Sequence, residues 1–482
     1  MTDASAPSSP LRLRLAPLAW AAVGALGAIG LAALAWSGAE AVWVGTAALA
    51  ALFGLAVVAL SAPPVRVWLP AASLLAVLAL SLVTLGADEG VDALDVAFGV
   101  ALVLYIAAWY GIAVVGGLRL IRTHTDVAVA LFLLAGGVGG GLLSVVSHAS
   151  GVDLRSDLTC LLVFGLFFPV RELCARSPNG PRIIAAAIIG VGLVASTTNA
   201  LRLLNVLTGA SAAYELVDVR LASGEIQIIG ALSIALVWLS VARRRVSQIV
   251  LFGLVAFLIA GLILTKSRGS WLTAAVGMLV TALAVPWSVR ARMGVAVVGG
   301  AIGAAVAGVA VAGAQVVLIG VGLLKRLTSI STAATGDISL LNRYAESAAT
   351  WDAIAANPIL GYGWGVPVIR YDLIIDATFR WGFVHNGYLW LWHKVGLWGL
   401  LLFVLPLLGT IWHGIRTARL ARVPIEERAL AAGGAGALVA FGLLALPSNP
   451  FAVLDQMLIV AVVLGFTSGL WVRSRAPSSS PA

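Results

Sequence analysis

Apolar runs of about 20 residues recur along this sequence, each long enough to cross a roughly 30 Å hydrocarbon core as a helix. They fall near residues 16–37, 41–61, 66–86, 96–118, 127–147, 159–170, 183–201, 226–242, 247–265, 270–288, 294–324, 387–413, 429–446 and 453–472. In lipid a chain must satisfy its own N–H and C=O groups, so spanning runs of this kind are helical. Composition excludes a soluble alternative. With 61% hydrophobic and 11% charged residues, there is too little charge to cover the apolar surface. The expected fold is all-α: a polytopic integral membrane protein with 12–14 transmembrane helices and one large outer loop. The run at 159–170 is short for a crossing, and the run at 294–324 is long.

Charge orients the chain. In a soluble protein a net charge of +9 would suggest nucleic acid. Here most of the 30 Lys and Arg residues sit in short connections between runs, on the side that holds both termini. By the positive-inside rule that side is cytoplasmic. The opposite face receives the acidic segment "ADEGVDALD" at 87–95 and the long polar stretch from 325 to 385. No nucleic-acid partner is expected; the first partner is the bilayer itself.

Cys160 and Cys174 form no disulfide framework and no metal spacing, and the five histidines show no HExxH or paired arrangement. No metal and no cofactor are expected.

Three outer-face segments carry the residues suited to chemistry. The turn "LTKSRGSWL" places Lys266 and Arg268 beside Gly269. Two cations at a headgroup interface commonly snorkel. A guanidinium fork also fits phosphate oxygens, and a glycine lets the backbone approach them. The second segment, "GDISLLNRYAESAATWDAIAANP", predicts an amphipathic helix capped by Asp337 and ended at Asn357-Pro358. Its apolar stripe is Leu340, Leu341, Tyr344, Ala348, Trp351 and Ala355, suited to lying on the membrane plane. Arg343, Glu346, Ser347 and Thr350 fall on the opposite face. The third is "RWGFVHNGYLWLWHKVGLWG", where His385 and Asn386 stand at the edge of a span. A histidine there can be interfacial, or it can take a proton from an attacking hydroxyl. Asn386 is a candidate to orient the imidazole or a sugar. Cations that hold a diphosphate, beside a base that activates an alcohol, describe glycosyl transfer from a lipid-diphosphate donor.

The motifs "SRGSWL", "NRYAESAATWDAIAANPILGYGWG" and "HNGYLWLWHKVGLWGLLLF", in this order around one large outer loop, resemble the O-antigen ligase and O-antigen polymerase (Wzy-type) superfamily. "VRLASGEIQIIGAL" is a looser match. The resemblance implies an inverting glycosyltransferase of the bacterial inner membrane. It moves a glycan from undecaprenyl diphosphate to an acceptor on the periplasmic face, lipid A-core for a ligase or another lipid-linked glycan for a polymerase. It also implies that Arg268 and Arg343 bind the diphosphate and that His385 is catalytic. Lys266, Arg220 and Asn386 are secondary candidates. Residues 1–15 are then a disordered cytoplasmic N-terminus and 16–324 the N-terminal transmembrane helices. Residues 325–386 are a periplasmic catalytic loop, 387–472 the C-terminal helices, and 473–482 a disordered cytoplasmic tail. The family shows about twelve spans against the fourteen runs here, and "EIQIIG" lacks the expected Asn-rich turn after Arg220. Ligase is the favoured reading over an O-antigen or exopolysaccharide polymerase. A transporter of lipid-linked sugar is the alternative from another class. It should show internal repeats and broken mid-membrane helices, and no repeat is apparent. The Gly-rich "GGVGGG" at 136–141 reads as a site of close packing.

Overall fold

The computed structural model describes residues 93–147, 149, 151–209, 214, 224–328 and 338–476. The expected spans at 16–37, 41–61 and 66–86, together with Arg220 and Asp337, lie outside the described residues. The chain divides into two compact units, Met1–Arg122 and Thr123–Ala482. In the first, helix α1 spans Ala93–Val115 and buries Leu102, Tyr105 and Trp109 along one stripe.

In the second unit, α2 (His124–Leu134) passes through a π-helical segment, Ala135–Gly140, into α3 (Gly141–Val146). Then come α4 (Gly151–Phe164), α5 (Phe167–Arg176), α6 (Gly180–Thr208), α7 (Glu225–Val241), α8 (Arg245–Leu264), α9 (Arg268–Ala284) and α10 (Trp287–Ala312). A short 3₁₀ turn leads into α11 (Val316–Thr328). The large loop holds α12 (Ile338–Ala356) and an antiparallel hairpin of β1 (Val368–Asp372) and β2 (Ala377–Trp381). Helices α13 (Gly387–Arg419), α14 (Ile425–Leu444) and α15 (Leu454–Arg475) complete the unit.

Each expected span within the described residues coincides with a helix. Among those residues, eight helical stretches are long and apolar enough to cross a membrane, and α7 and α9 are shorter apolar helices. The protein is an all-α polytopic membrane protein, carrying one small hairpin among the described residues. The short run at 159–170 is extended at both ends by α4 and α5. The charges that ended it, Arg171 and Glu172, are buried, and Arg171 pairs with Asp126 at 2.6 Å. A buried charge paired in this way is compatible with a span, as a lone one is not. At the other end, α15 runs to Arg475, into the segment expected as a disordered tail, and Arg473 pairs with Glu427 at 2.9 Å.

The centre of the bundle is α7, α14 and α15. Almost every residue of Ile226–Val237 and Met457–Trp471 is buried, so these helices are apolar on all sides. Small residues bring helices together. A Cβ on Gly277 of α9 would stand 2.5 Å from the Gly436 carbonyl of α14, the close approach that glycine allows between membrane helices.

The glycine run at 136–141 packs closely too, around a side chain from the large loop. Trp364, 1% exposed, donates from Nε1 to the Gly136 carbonyl at 2.7 Å, and a Cβ on Gly140 would strike its indole. Helix α13 is broken at Gly396 (φ 68°). The carbonyls of His393 and Lys394 accept instead from Tyr362 N and Gly363 N, both at 2.9 Å. Breaks of this sort line substrate paths in transporters; here the loop backbone occupies the carbonyls. Lys394, 1% exposed, pairs with Asp157 at 2.9 Å and donates to the Val366 carbonyl, while Gly365 N donates to Asp157. That ion pair fastens the loop to α4 and α13. Lys394→Met leaves Asp157 buried without its cation, which costs roughly 3–5 kcal/mol. The expected result is a clear drop in Tm in detergent, largely recovered in the Asp157→Asn/Lys394→Met double variant.

Candidate active site

Helix α12 inverts the ordinary amphipathic arrangement. Asn342, Glu346, Thr350 and Ile354, at intervals of four, are its buried side. The apolar stripe, with Leu341, Tyr344 and Trp351, is exposed. The polar face therefore packs on the protein, and the outward stripe suits a lipid surface. A spin label at Ala348, introduced as Ala348→Cys, is expected to be relaxed by oxygen more than by a water-soluble nickel chelate in nanodiscs. The reverse preference would place the stripe in water.

The buried polar face of α12 organises the site. Glu346, 1% exposed, takes Nδ1 of His385 at 2.6 Å on Oε2, and its Oε1 accepts from the His385 backbone N–H at 3.2 Å. Behind it lies Arg370 of β1, with Nη1 at 3.4 Å from Glu346 Oε2 and Nη2 at 3.6 Å from Asp372. Asn342 donates to Asp372 at 3.0 Å and accepts from Leu373 N, joining the hairpin to α12. The Asn342 amide, with the N–H groups of Ile374 and Ile375, holds the Asp372 carboxyl below its ordinary range.

The segment around His385 is pinned on each side. Asn449 donates to the Val384 carbonyl at 2.8 Å, and Gly387 N donates to the Ala445 carbonyl at 2.9 Å. A Cβ on Gly387 would press on Phe451 and on Asn449 Oδ1. Asn386 is the N-cap of α13, its Oδ1 accepting from Tyr388 N and Leu389 N at 3.1 Å. The imidazole is thus held by Glu346, with Phe383 edge-on at 5.2 Å, and not by Asn386.

The "SRGS" turn stands at the start of α9. Ser267 is its N-cap, accepting from Ser270 N, so Arg268 is the first helical residue. Lys266 is 1% exposed with φ 47°, which excludes a snorkelling headgroup cation. Arg268 is half-buried. Ser267, Gly269 and Ser270 line a cavity of about 100 Å³ together with Glu225, Arg343, Leu444, Pro447, Ser448 and Gln456. Arg343 Nη1 donates to the Pro447 carbonyl at 2.7 Å. The turn bearing Arg268 and the loop-helix cation Arg343 are therefore brought to one cavity. Neither Arg268 nor His385 is among its lining residues. Glu346, the partner of His385, lies three positions after Arg343 on α12.

The sequence did not point to Glu346, Arg370 or Asn449 as site residues. Glu346 and Arg370 had signals, a carboxylate on the polar face of α12 and a cation in an outer loop. Asn449 lies more than 60 positions from His385 and had none.

A membrane-embedded bundle whose loop helix brings Arg343 to a cavity and holds an imidazole through Glu346 is a candidate polar site beside lipid. Residues 253–404 match the family model described as O-antigen ligase. That stretch runs from α8 through the Arg268 turn, α12, the hairpin and His385 into α13, and its match supports the O-antigen ligase/polymerase superfamily. A search of curated proteins returns no match.

Proposed function

We propose that this protein is a metal-independent inverting glycosyltransferase. It moves a glycan from undecaprenyl diphosphate to an acceptor hydroxyl on the periplasmic face of the bacterial inner membrane, both termini being cytoplasmic. The supporting observation is that one helix, α12, sends Arg343 to the cavity walled by the Ser267–Ser270 turn and holds His385 through Glu346. The diphosphate sits in that cavity. Arg343 opposes its charge from the cavity wall and Arg268 from the turn beside it, aided by the N–H groups at the start of α9, where the helix dipole favours an anion. Lys266 adds positive potential from behind the turn.

In the reaction, Nε2 of His385 takes the acceptor hydroxyl proton. The oxygen attacks the anomeric carbon from the face opposite the diphosphate, and the C–O bond to phosphate breaks with its electron pair leaving on the diphosphate. Guanidinium groups stabilise the charge that grows there, so the scheme needs no metal. Opposite-face attack inverts the anomeric centre.

The acceptor we assign is lipid A-core, a ligase reaction, since a single large outer loop carries both cation and base. Purified protein in nanodiscs, given an undecaprenyl-diphosphate glycan with lipid A-core and a second lipid-linked glycan in competition, is expected to glycosylate the lipid A-core. Extension of the lipid-linked glycan would make the protein a polymerase. Passage of intact donor across the bilayer, without a new glycosidic bond, would make it a transporter.

A further inference from the structure

Resting on the proposed role of His385, we infer that Glu346 is the positioning residue of the base, fixing which ring nitrogen meets the acceptor. Both carboxylate oxygens of Glu346 are directed to His385, one at 2.6 Å from Nδ1 and one at 3.2 Å from the backbone N–H. The carboxylate is almost fully enclosed, whereas the ring is 35% exposed. A buried carboxylate favours the ring form with hydrogen on Nδ1, which leaves the lone pair on Nε2. It also steadies the imidazolium formed once the acceptor proton is taken.

Arg370 balances the charge without competing for the oxygens. Its Nη1 lies 3.4 Å from Glu346, and among the described residues neither Nη1 nor Nε makes a hydrogen bond. The shortest partner of Glu346 is therefore the imidazole. Arg370 stands on β1, in register opposite Phe379, so the hairpin supplies the counter-charge from behind the dyad. A purely structural tether needs a hydrogen-bond acceptor at position 346 but no charge. The positioning role needs the carboxylate.

Two measurements test this. In ¹⁵N-histidine spectra of the full chain in nanodiscs at alkaline pH, where imidazoles are neutral, the His385 resonances are identified by their loss in His385→Gln. They are expected to show hydrogen on Nδ1; hydrogen on Nε2 would overturn the inference without any change at position 346. In the transfer assay, Glu346→Gln is expected to lower kcat by up to about 10⁴-fold, the loss seen when an orienting carboxylate is made an amide. KM for the donor is expected to hold, and Glu346→Asp to retain part of the activity. Glu346→Gln with full kcat and an unaltered ring tautomer would overturn the inference. His385→Ala in the same assay separates the two claims. If it turns over normally, the base assignment fails whatever Glu346 does; if it is inactive while Glu346→Gln is fully active, only the positioning role fails.

Discussion

His385→Ala is expected to reduce glycan transfer by about 10²–10⁴-fold, the range that a positioned general base contributes, with donor binding retained. The ring accepts no helix-capping duty, since Asn386 caps α13 and Asn449 pins the Val384 carbonyl. Removing the imidazole therefore leaves the surrounding backbone anchored, and the loss falls on chemistry. Thermal unfolding of the variant near the parent temperature checks that assignment. A stable variant with normal kcat would remove His385 from the reaction. A variant with normal kcat and a raised donor KM would make the residue a binding group.

Arg343→Ala is expected to cost a similar order of turnover, about 10²–10³-fold, which is the effect of losing one donor to a developing anion. Its structural cost is smaller than that of a core residue, because the side chain is half-buried and donates to the Pro447 backbone carbonyl. Arg343→Lys keeps the charge and loses the planar fork, so it is expected to recover only part of the rate. Arg268→Ala acts on the same phosphate charge. The double variant is therefore expected to lose less than the product of the two single losses, as coupled neighbours do. Purely multiplicative losses would place the two cations on separate tasks.

The spans were legible because lipid imposes one rule, a backbone closed on itself over about 20 apolar residues. That rule gave the wrong extent where a charge was neutralised in the bundle, as at Arg171 beside Asp126. It also could not show that α13 breaks at Gly396, since the break is made good by Tyr362 and Gly363, more than 30 positions upstream. Within the candidate site, Arg343 was legible as a cation on the polar face of the loop helix and His385 as a titratable group at the edge of an apolar wall. Their support was not. Glu346 was one carboxylate among several residues on a polar face, and nothing in the pattern showed that α12 turns that face inward; the hairpin bearing Arg370 left too short a pattern beside the aromatic turn. Asn386 looked chemical and serves as a cap. In each case the decisive partner is distant in sequence, which helical periodicity does not report.

The central claim is direct attack by an acceptor hydroxyl on the anomeric carbon of a diphosphate-linked glycan. The measurement is the anomeric configuration of the new linkage, read by NMR of product made by the purified protein from a donor of known configuration, without metal or nucleotide. We expect complete inversion relative to the donor; a product of retained configuration would contradict the account.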